Sequence, residues 1–171
     1  MSDNRLRPRR EFTPREGTMS TALTETVAAQ RDRYCEENGF TGTHIDAYNQ
    51  IILRAGPVDA IQMPAILGDR VRIELSRQLL TTPIIENRLT GALTVLTQAA
   101  SAEDTRSIFL FSKLYRVQAI RTPKGAMIML PGPADTMRVW LDSPVGTLRP
   151  PFDTAVAITL DSAKALSPVG N

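Results

Sequence analysis

The first 17 residues contain five arginines, a dense group of side chains that could bind a ligand. They lie in the stretch SDNRLRPRREFTPREG and are Arg5, Arg7, Arg9, Arg10 and Arg15. A guanidinium forms planar, bidentate hydrogen bonds with phosphate or carboxylate groups. Arginines spaced in this way could bind nucleic-acid phosphates through salt-sensitive contacts that carry no base specificity. Three acidic residues in the same stretch reduce its charge, and Phe12 is its one aromatic residue for stacking on bases.

Two prolines and little apolar periodicity predict that residues 1–17 form an extended arm. The arm could be a solvated tail, it could contact nucleic acid, or it could dock along a neighbouring subunit, as the extended arms of shell and virion proteins do. A targeting segment fits least well, because Asp3, Glu11 and Glu16 interrupt the positive charge. We rank a protein neighbour first and a phosphate backbone second.

The sole cysteine and the sole histidine, Cys35 and His44, are the one pair that could support nucleophilic catalysis. A thiolate that pairs with an imidazolium is reactive, and Asp46 could orient the imidazole. Cys35 lies on the apolar stripe of a predicted helix, however, where a buried and inert thiol is the usual finding. An enzyme that uses this dyad is therefore the third hypothesis, and we predict no catalytic residue.

Motifs for nucleotides and metals are missing from the sequence. The ten glycines form neither GxGxxG nor GxxxxGK[ST], which excludes the two common phosphate-binding loops. One cysteine and one histidine cannot supply the four ligands of a structural zinc site, and one cysteine cannot form an intramolecular disulfide. No clustered Asp and Glu residues indicate a magnesium site. We predict no cofactor and no metal site, and the sequence identifies no small-molecule substrate.

Trp140, the only tryptophan, lies between Val139 and Leu141 in MRVWLD (137–142). Apolar residues on both faces of a strand indicate burial on both sides, either within the domain or against a partner. Trp140 is thus either a core residue or an interface anchor. The same reasoning applies to AMIML (126–130). Together the two strands favour a homo-oligomer or docking on other subunits of an assembly.

The elements that must position these residues are predicted from apolar spacing and from turn residues. Helices are predicted over residues 20–38, 43–55, 82–100 and 102–112, the second with a capping box of Thr43 and Asp46. Residues 58–69 are predicted to be an irregular link. Strands are predicted at RVRIEL (70–75), at 114–121 and AMIML joined as a hairpin by the turn TPKG, at MRVWL (137–141) and at TAVAITL (154–160).

This order predicts an α+β fold in which a helical N-terminal half, of three or four helices, packs on a small, mostly antiparallel sheet from the C-terminal half. A length of 171 residues fits one domain, so we expect residues 1–17 to be the arm and residues 18–171 to be a single domain. No apolar run reaches the length of a membrane span and no signal peptide is recognisable. We therefore expect a protein of the virion or of the cytoplasm.

Charge divides the chain into three parts. Behind the basic arm, residues 18–104 hold seven basic and eleven acidic residues, and residues 105–171 hold eight and four. This partition favours a protein that meets its neighbours through charge complementarity. We therefore expect a non-enzymatic structural or assembly protein, with a viral or phage particle as the favoured setting. The alternative is a small nucleic-acid-binding or regulatory domain that uses the arginine-rich arm.

Overall fold

The computed structural model describes residues 25–101 and 107–166, and the arginine-rich arm lies outside them. Four helices and eight strands follow one another along the described chain. In chain order they are α1 (Val27–Glu36), β1 (Thr43–Ile45), β2 (Ile51–Arg54), β3 (Val58–Met63), α2 (Ala65–Arg77), β4 (Ile84–Asn87), β5 (Leu93–Gln98), α3 (Ser107–Arg116), β6 (Ile120–Arg121), β7 (Met127–Leu130), β8 (Arg138–Asp142) and α4 (Phe152–Leu166). None of these helices combines the length and the apolar composition needed to cross a membrane.

The strands form two sheets that pack face to face. One sheet has five strands in the order β6-β3-β5-β4-β8, and the other has three in the order β1-β2-β7. Helices α2, α3 and α4 cover the face of the five-stranded sheet that points away from the three-stranded sheet, and Ile61 and Phe152 belong to the core on this face. The other face of the five-stranded sheet, the three-stranded sheet and α1 enclose a second core that contains Leu53 and Leu96. The five-stranded sheet is therefore buried on both faces.

The predicted separation into a helical N-terminal half and a C-terminal sheet is wrong. Five strands precede residue 100, and the described chain ends in α4, a helix of 15 residues. Helices are thus interspersed with strands along the whole described chain, and the fold is mixed α and β. All strand pairs among the described residues are antiparallel.

The helix predicted over residues 82–100 is a hairpin of β4 and β5. Asn87 Oδ1 accepts hydrogen bonds from the amides of Leu89 (3.0 Å) and Thr90 (3.3 Å), and Asn87 O accepts one from Gly91 N (2.7 Å). Gly91 has a φ of +70°, which glycine adopts without steric cost. The residues that suggested one helical stripe therefore lie on two strands joined by this turn.

The helix predicted over residues 43–55 is a second hairpin, formed by β1 and β2. Asp46 Oδ1 accepts hydrogen bonds from the amides of Tyr48 and Gln50 in the turn, both at 2.9 Å. Thr43 Oγ1 donates to Phe40 O instead of capping a helix. Asp46 thus closes a hairpin turn, because a short carboxylate can bind backbone amides two residues ahead as readily as it can bind those of a helix.

Two segments predicted as strands are helical. RVRIEL (70–75) lies within α2, which buries Leu67, Val71 and Leu75 at a spacing of four residues. TAVAITL (154–160) lies within α4, where Ala155 and Thr159 are buried one turn apart. In both cases the apolar spacing of the flanking residues extends the helical pattern beyond the short alternating window that favoured a strand.

The remaining predictions have mixed outcomes. The predicted link over residues 58–69 is β3 followed by the start of α2, and the predicted strand over 114–121 is confined to β6. The predicted hairpin is wrong, because β6 pairs with β3 whereas β7 pairs with β2 in the other sheet. The helices predicted at 20–38 and 102–112 are confirmed where they are described, as α1 and α3, and AMIML and MRVWL are confirmed as β7 and β8.

Candidate functional site

An open groove of about 760 Å³ lies where the end of α2, the segment after it and the end of β8 meet. Much of its wall is apolar, and Leu75 and Leu80 form part of it. Three further apolar side chains of the groove are strongly exposed, namely Leu79 (91%), Val145 (57%) and Ile73 (52%). A concave surface with exposed apolar side chains is typical of a binding site.

Leu79 is exposed because of the way α2 ends. The amide of Leu80 donates to Leu75 O and the amide of Leu79 donates to Ser76 O, both at 3.0 Å. This type of ending requires one residue in the left-handed conformation, and Leu79 supplies it with a φ of +57°. Glycine or asparagine usually takes this position, since a larger side chain costs roughly 1–2 kcal/mol there. A leucine held in solvent in this conformation is therefore a feature that the fold alone does not require.

Arg72 and Asp142 form a polar part of the groove wall. The guanidinium makes a bidentate contact, in which Nη2 donates to Oδ1 at 2.8 Å and Nε donates to Oδ2. The hydrogen bond to Asp142 raises the pKa of Arg72, although burial acts in the opposite direction. Both side chains are more than a third exposed (42% and 37%), so solvent screens the pair. Its main effect is to fix the end of β8 against α2.

β8 borders the groove and forms one edge of the five-stranded sheet. Within the described residues it pairs with β4 alone, so the backbone groups on its outer side meet no strand. Asp135 sets its start, because the carboxylate accepts hydrogen bonds from the amides of Met137 (2.9 Å) and Arg138 (3.0 Å) and from Arg138 Nε (2.7 Å). Burial would raise the pKa of Asp135, but these hydrogen bonds outweigh it and hold that pKa below its usual 3.8. An open edge of this kind can accept an added strand.

Trp140 is half-buried between the two sheets. Its Nε1 donates to Tyr34 Oη at 2.7 Å, and its ring centroid lies 5.9 Å from that of Tyr34 and 6.4 Å from that of Phe40. The Tyr34 hydroxyl donates to Pro131 O (2.8 Å) and accepts from Gln30 Nε2 (2.8 Å). Burial raises the pKa of Tyr34 above its usual 10.0. The cluster holds α1 against β8, and a role of Trp140 as an interface anchor stays a prediction.

Cys35 and His44 are not joined by a hydrogen bond in the part of the chain that the structure describes. Cys35 Sγ donates to Phe40 O at 3.6 Å, and its side chain is half-buried. His44 lies on β1, opposite Ile52 of β2. The structure therefore brings neither residue into the contact that a catalytic dyad needs.

The other sequence predictions concern residues of two kinds. The five arginines of the arm lie outside the described residues. Within residues 25–101 and 107–166, no group of three or more His, Cys, Asp or Glu side chains could hold a metal ion.

Leu79 was missed by the sequence reasoning. Its signal is a helix followed by QLL with neither glycine nor asparagine, which is visible only once the end of α2 is known.

Comparisons with known proteins add nothing to this geometry. The chain matches no protein-family model, no curated protein and no solved structure. The groove and the edge of β8 therefore carry the functional argument by themselves. Chemically, this site offers backbone donors and acceptors, an apolar wall and a fixed ion pair, which together suit the binding of an extended polypeptide.

Proposed function

We propose that the chain is a non-enzymatic structural or assembly protein whose N-terminal arm docks on the β8 edge of a neighbouring copy. The open edge of β8 beside the apolar groove carries this proposal. A sixth strand added there would gain backbone hydrogen bonds from β8 and would direct alternate side chains toward the groove. A subunit that reaches its neighbours in this way suits a particle made of many copies, such as a viral or phage shell.

The arm contains one stretch whose length matches this edge. Residues 9–13, Arg-Arg-Glu-Phe-Thr, lie between Pro8 and Pro14, and β8 has five residues. Proline has no N–H to pair, so the two prolines limit the segment that can form a strand, and they are tolerated on an edge. Phe12 is the large apolar side chain of this stretch. We expect it to enter the groove beside Leu79.

An unpaired carboxylate near β8 favours the same pairing, and the two arginines of the groove wall, Arg72 and Arg77, are already paired with Asp142 and Glu74. The arm holds five arginines against three acidic residues. On β4, the strand next to β8, the Glu86 carboxylate makes no ion pair or hydrogen bond with any described residue. Two strand spacings, about 10 Å, would separate β4 from an added strand, a gap that an arginine and a glutamate side chain together can bridge. An arginine of the arm would then gain a carboxylate partner that is otherwise unpaired.

A disulfide cross-link tests where the arm docks. In a Cys35→Ser background, Phe12→Cys is combined with Val145→Cys, which places the second thiol in the groove. We expect oxidation to give disulfide-linked dimers and larger species on a non-reducing gel. The control combines Phe12→Cys with Tyr48→Cys, a residue that is 84% exposed in the β1–β2 turn and should not be linked. A disulfide that forms only within one chain contradicts docking on a neighbour.

Light scattering provides an independent measurement of assembly. We expect the full chain to exceed the monomer mass of 18.8 kDa and the chain without residues 1–17 to remain at its own monomer mass. Leu79→Asp, which places a charge in the groove without removing the arm, should weaken association as the deletion does. A full chain that stays monomeric at every concentration measured would refute the proposal.

A further inference from the structure

α3 lies beside β6, the edge of the five-stranded sheet opposite β8. Its inner side is committed to the core through the buried Leu114 and the half-buried Leu110. Its outer side carries three large aromatic side chains that are mostly exposed, namely Phe109 (75%), Phe111 (54%) and Tyr115 (66%). Large aromatic side chains gathered on the surface of one helix indicate a contact with something outside the described chain.

Two of these rings lie nearly parallel to each other. Phe111 and Tyr115 are one helical turn apart, their ring centroids are 6.1 Å apart, and their planes differ by 17°. Each ring keeps more than half of its side chain in solvent. Exposed aromatic rings are the side chains on which unpaired bases stack in proteins that bind single strands.

The charge of this region has one sign. The 30 residues from Thr105 to Ala134 contain five basic residues and no acidic residue. On α3 itself, the exposed Lys113 and Arg116 make no ion pair with any carboxylate within the described ranges. They are three residues apart, and Lys113 follows Phe109 by four, so helix geometry places the three side chains on neighbouring positions. Phe111 and Tyr115 lie on the other flank of the exposed surface, because residues two apart do not face each other on a helix. The exposed surface of α3 is therefore aromatic on both flanks and cationic on one.

We propose that this α3 face, formed by Phe109, Phe111, Lys113, Tyr115 and Arg116, binds single-stranded nucleic acid. The rings stack on bases, and the two cations contact phosphates. A duplex hides the faces of its bases, so it would use the cations alone. A lipid surface fits less well, because Leu110 and Leu114 already pack against the core and insertion of the rings would carry Lys113 and Arg116 with them toward the acyl region.

This inference goes beyond the proposed assembly function and does not rest on it. The arm has arginines with a single aromatic residue, whereas the α3 face has three aromatic residues with two cations. The β8 edge and the α3 face lie at opposite edges of the five-stranded sheet. A chain can therefore lose one activity and keep the other, so the two proposals can fail separately.

The test measures fluorescence anisotropy of a labelled 20-nucleotide oligothymidine with the full chain. We expect Tyr115→Ala and Phe111→Ala each to weaken binding at least about fivefold, as removal of one stacking ring does. Tyr115→Leu keeps an apolar side chain but removes the flat ring, and it should weaken binding to the same extent. The matched control is Tyr48→Ala, which removes an exposed ring from the β1–β2 turn and should leave binding unchanged.

Salt dependence tests the cations. For the double variant Lys113→Gln and Arg116→Gln, the slope of log K against log salt should become shallower by about 1.4, at about 0.7 for each phosphate contact on a single strand. Arg54→Gln with Arg70→Gln removes the same charge from exposed residues of β2 and α2 and should change this slope little. Unchanged affinity in all three aromatic variants overturns the proposal. So does α3-dependent binding to phosphatidylserine–phosphatidylcholine vesicles without binding to the oligonucleotide.

Discussion

Replacement of Leu79 by glycine separates the stability of the fold from the use of the groove. Leu79 has a φ of +57° and a side chain that is 91% exposed, so its removal sacrifices almost no buried area. A left-handed conformation costs a residue with a side chain roughly 1–2 kcal/mol. Glycine avoids that cost, but its extra freedom in the unfolded chain takes back roughly 0.5–1 kcal/mol. We therefore expect Leu79→Gly to raise the free energy of unfolding by about 0.5–1 kcal/mol.

Two measurements on the same samples test this expectation. In a chain of this size, thermal unfolding should show a rise in Tm of about 1–4 °C. The yield of the disulfide between Phe12→Cys and Val145→Cys should fall, because the groove loses its most exposed apolar side chain.

Gln118→Gly is the matched control for Leu79→Gly. Gln118 ends α3 with a φ of +59°, beside a hydrogen bond from the amide of Ala119 to Leu114 O. It should gain a similar amount of stability and leave the cross-link unchanged. If Leu79→Gly lowers Tm, or raises it without affecting the cross-link, the link between the strained leucine and docking is refuted.

Two further substitutions test the packing that holds the sheets in place. Tyr34→Phe removes the acceptor of Trp140 Nε1 and the donor to Pro131 O, and should lower the free energy of unfolding by about 1–3 kcal/mol in urea titration. Burial raises the pKa of Tyr34, so the wild-type chain should also lose stability as pH rises from about 10 toward the higher folded-state pKa, a loss that Tyr34→Phe should not show. Gly68→Ala would place a Cβ 2.7 Å from Leu93 Cδ1 and 2.8 Å from Leu93 Cβ, and this crowding between α2 and β5 should cost about 1–3 kcal/mol in the same assay.

The sequence predicts short apolar strands better where turn residues bound them on both sides. β8 and β7 were found because each is a short apolar run between recognisable turn residues. β4 and β5 were mistaken for one helix because residues on both faces of these strands are buried, as Ile84 and Ile85 are at 1% and 3% exposure. A strand apolar on both faces produces a run rather than an alternation, and a run fits helical spacing equally well.

The candidate site was only partly visible in the sequence. The apolar residues on both faces of MRVWL predicted burial on both sides, and the structure places Trp140 toward the inter-sheet core and Leu141 toward the helices. The groove itself joins Ile73 and Leu79 to Val145, which is more than 60 residues away in the chain. No local spacing reports such a meeting, because it depends on the order of strands in the sheet.

Two neighbouring connections join the two sheets. Residues 55–57 lead from β2 to β3, residues 122–126 lead from β6 to β7, and hydrogen bonds from Gly125 N to Ala55 O (2.8 Å) and from Ala55 N to Ala126 O (2.9 Å) tie the two crossings together. At the other edge of the five-stranded sheet, the hydrogen bond of Trp140 to Tyr34 joins β8 to α1. Local opening should therefore begin at the β8 edge, and amides of β8 should exchange with solvent before those of the two connections. A neighbouring copy bound along β8 would restrict the opening of this edge, so that assembly would also make the fold more rigid.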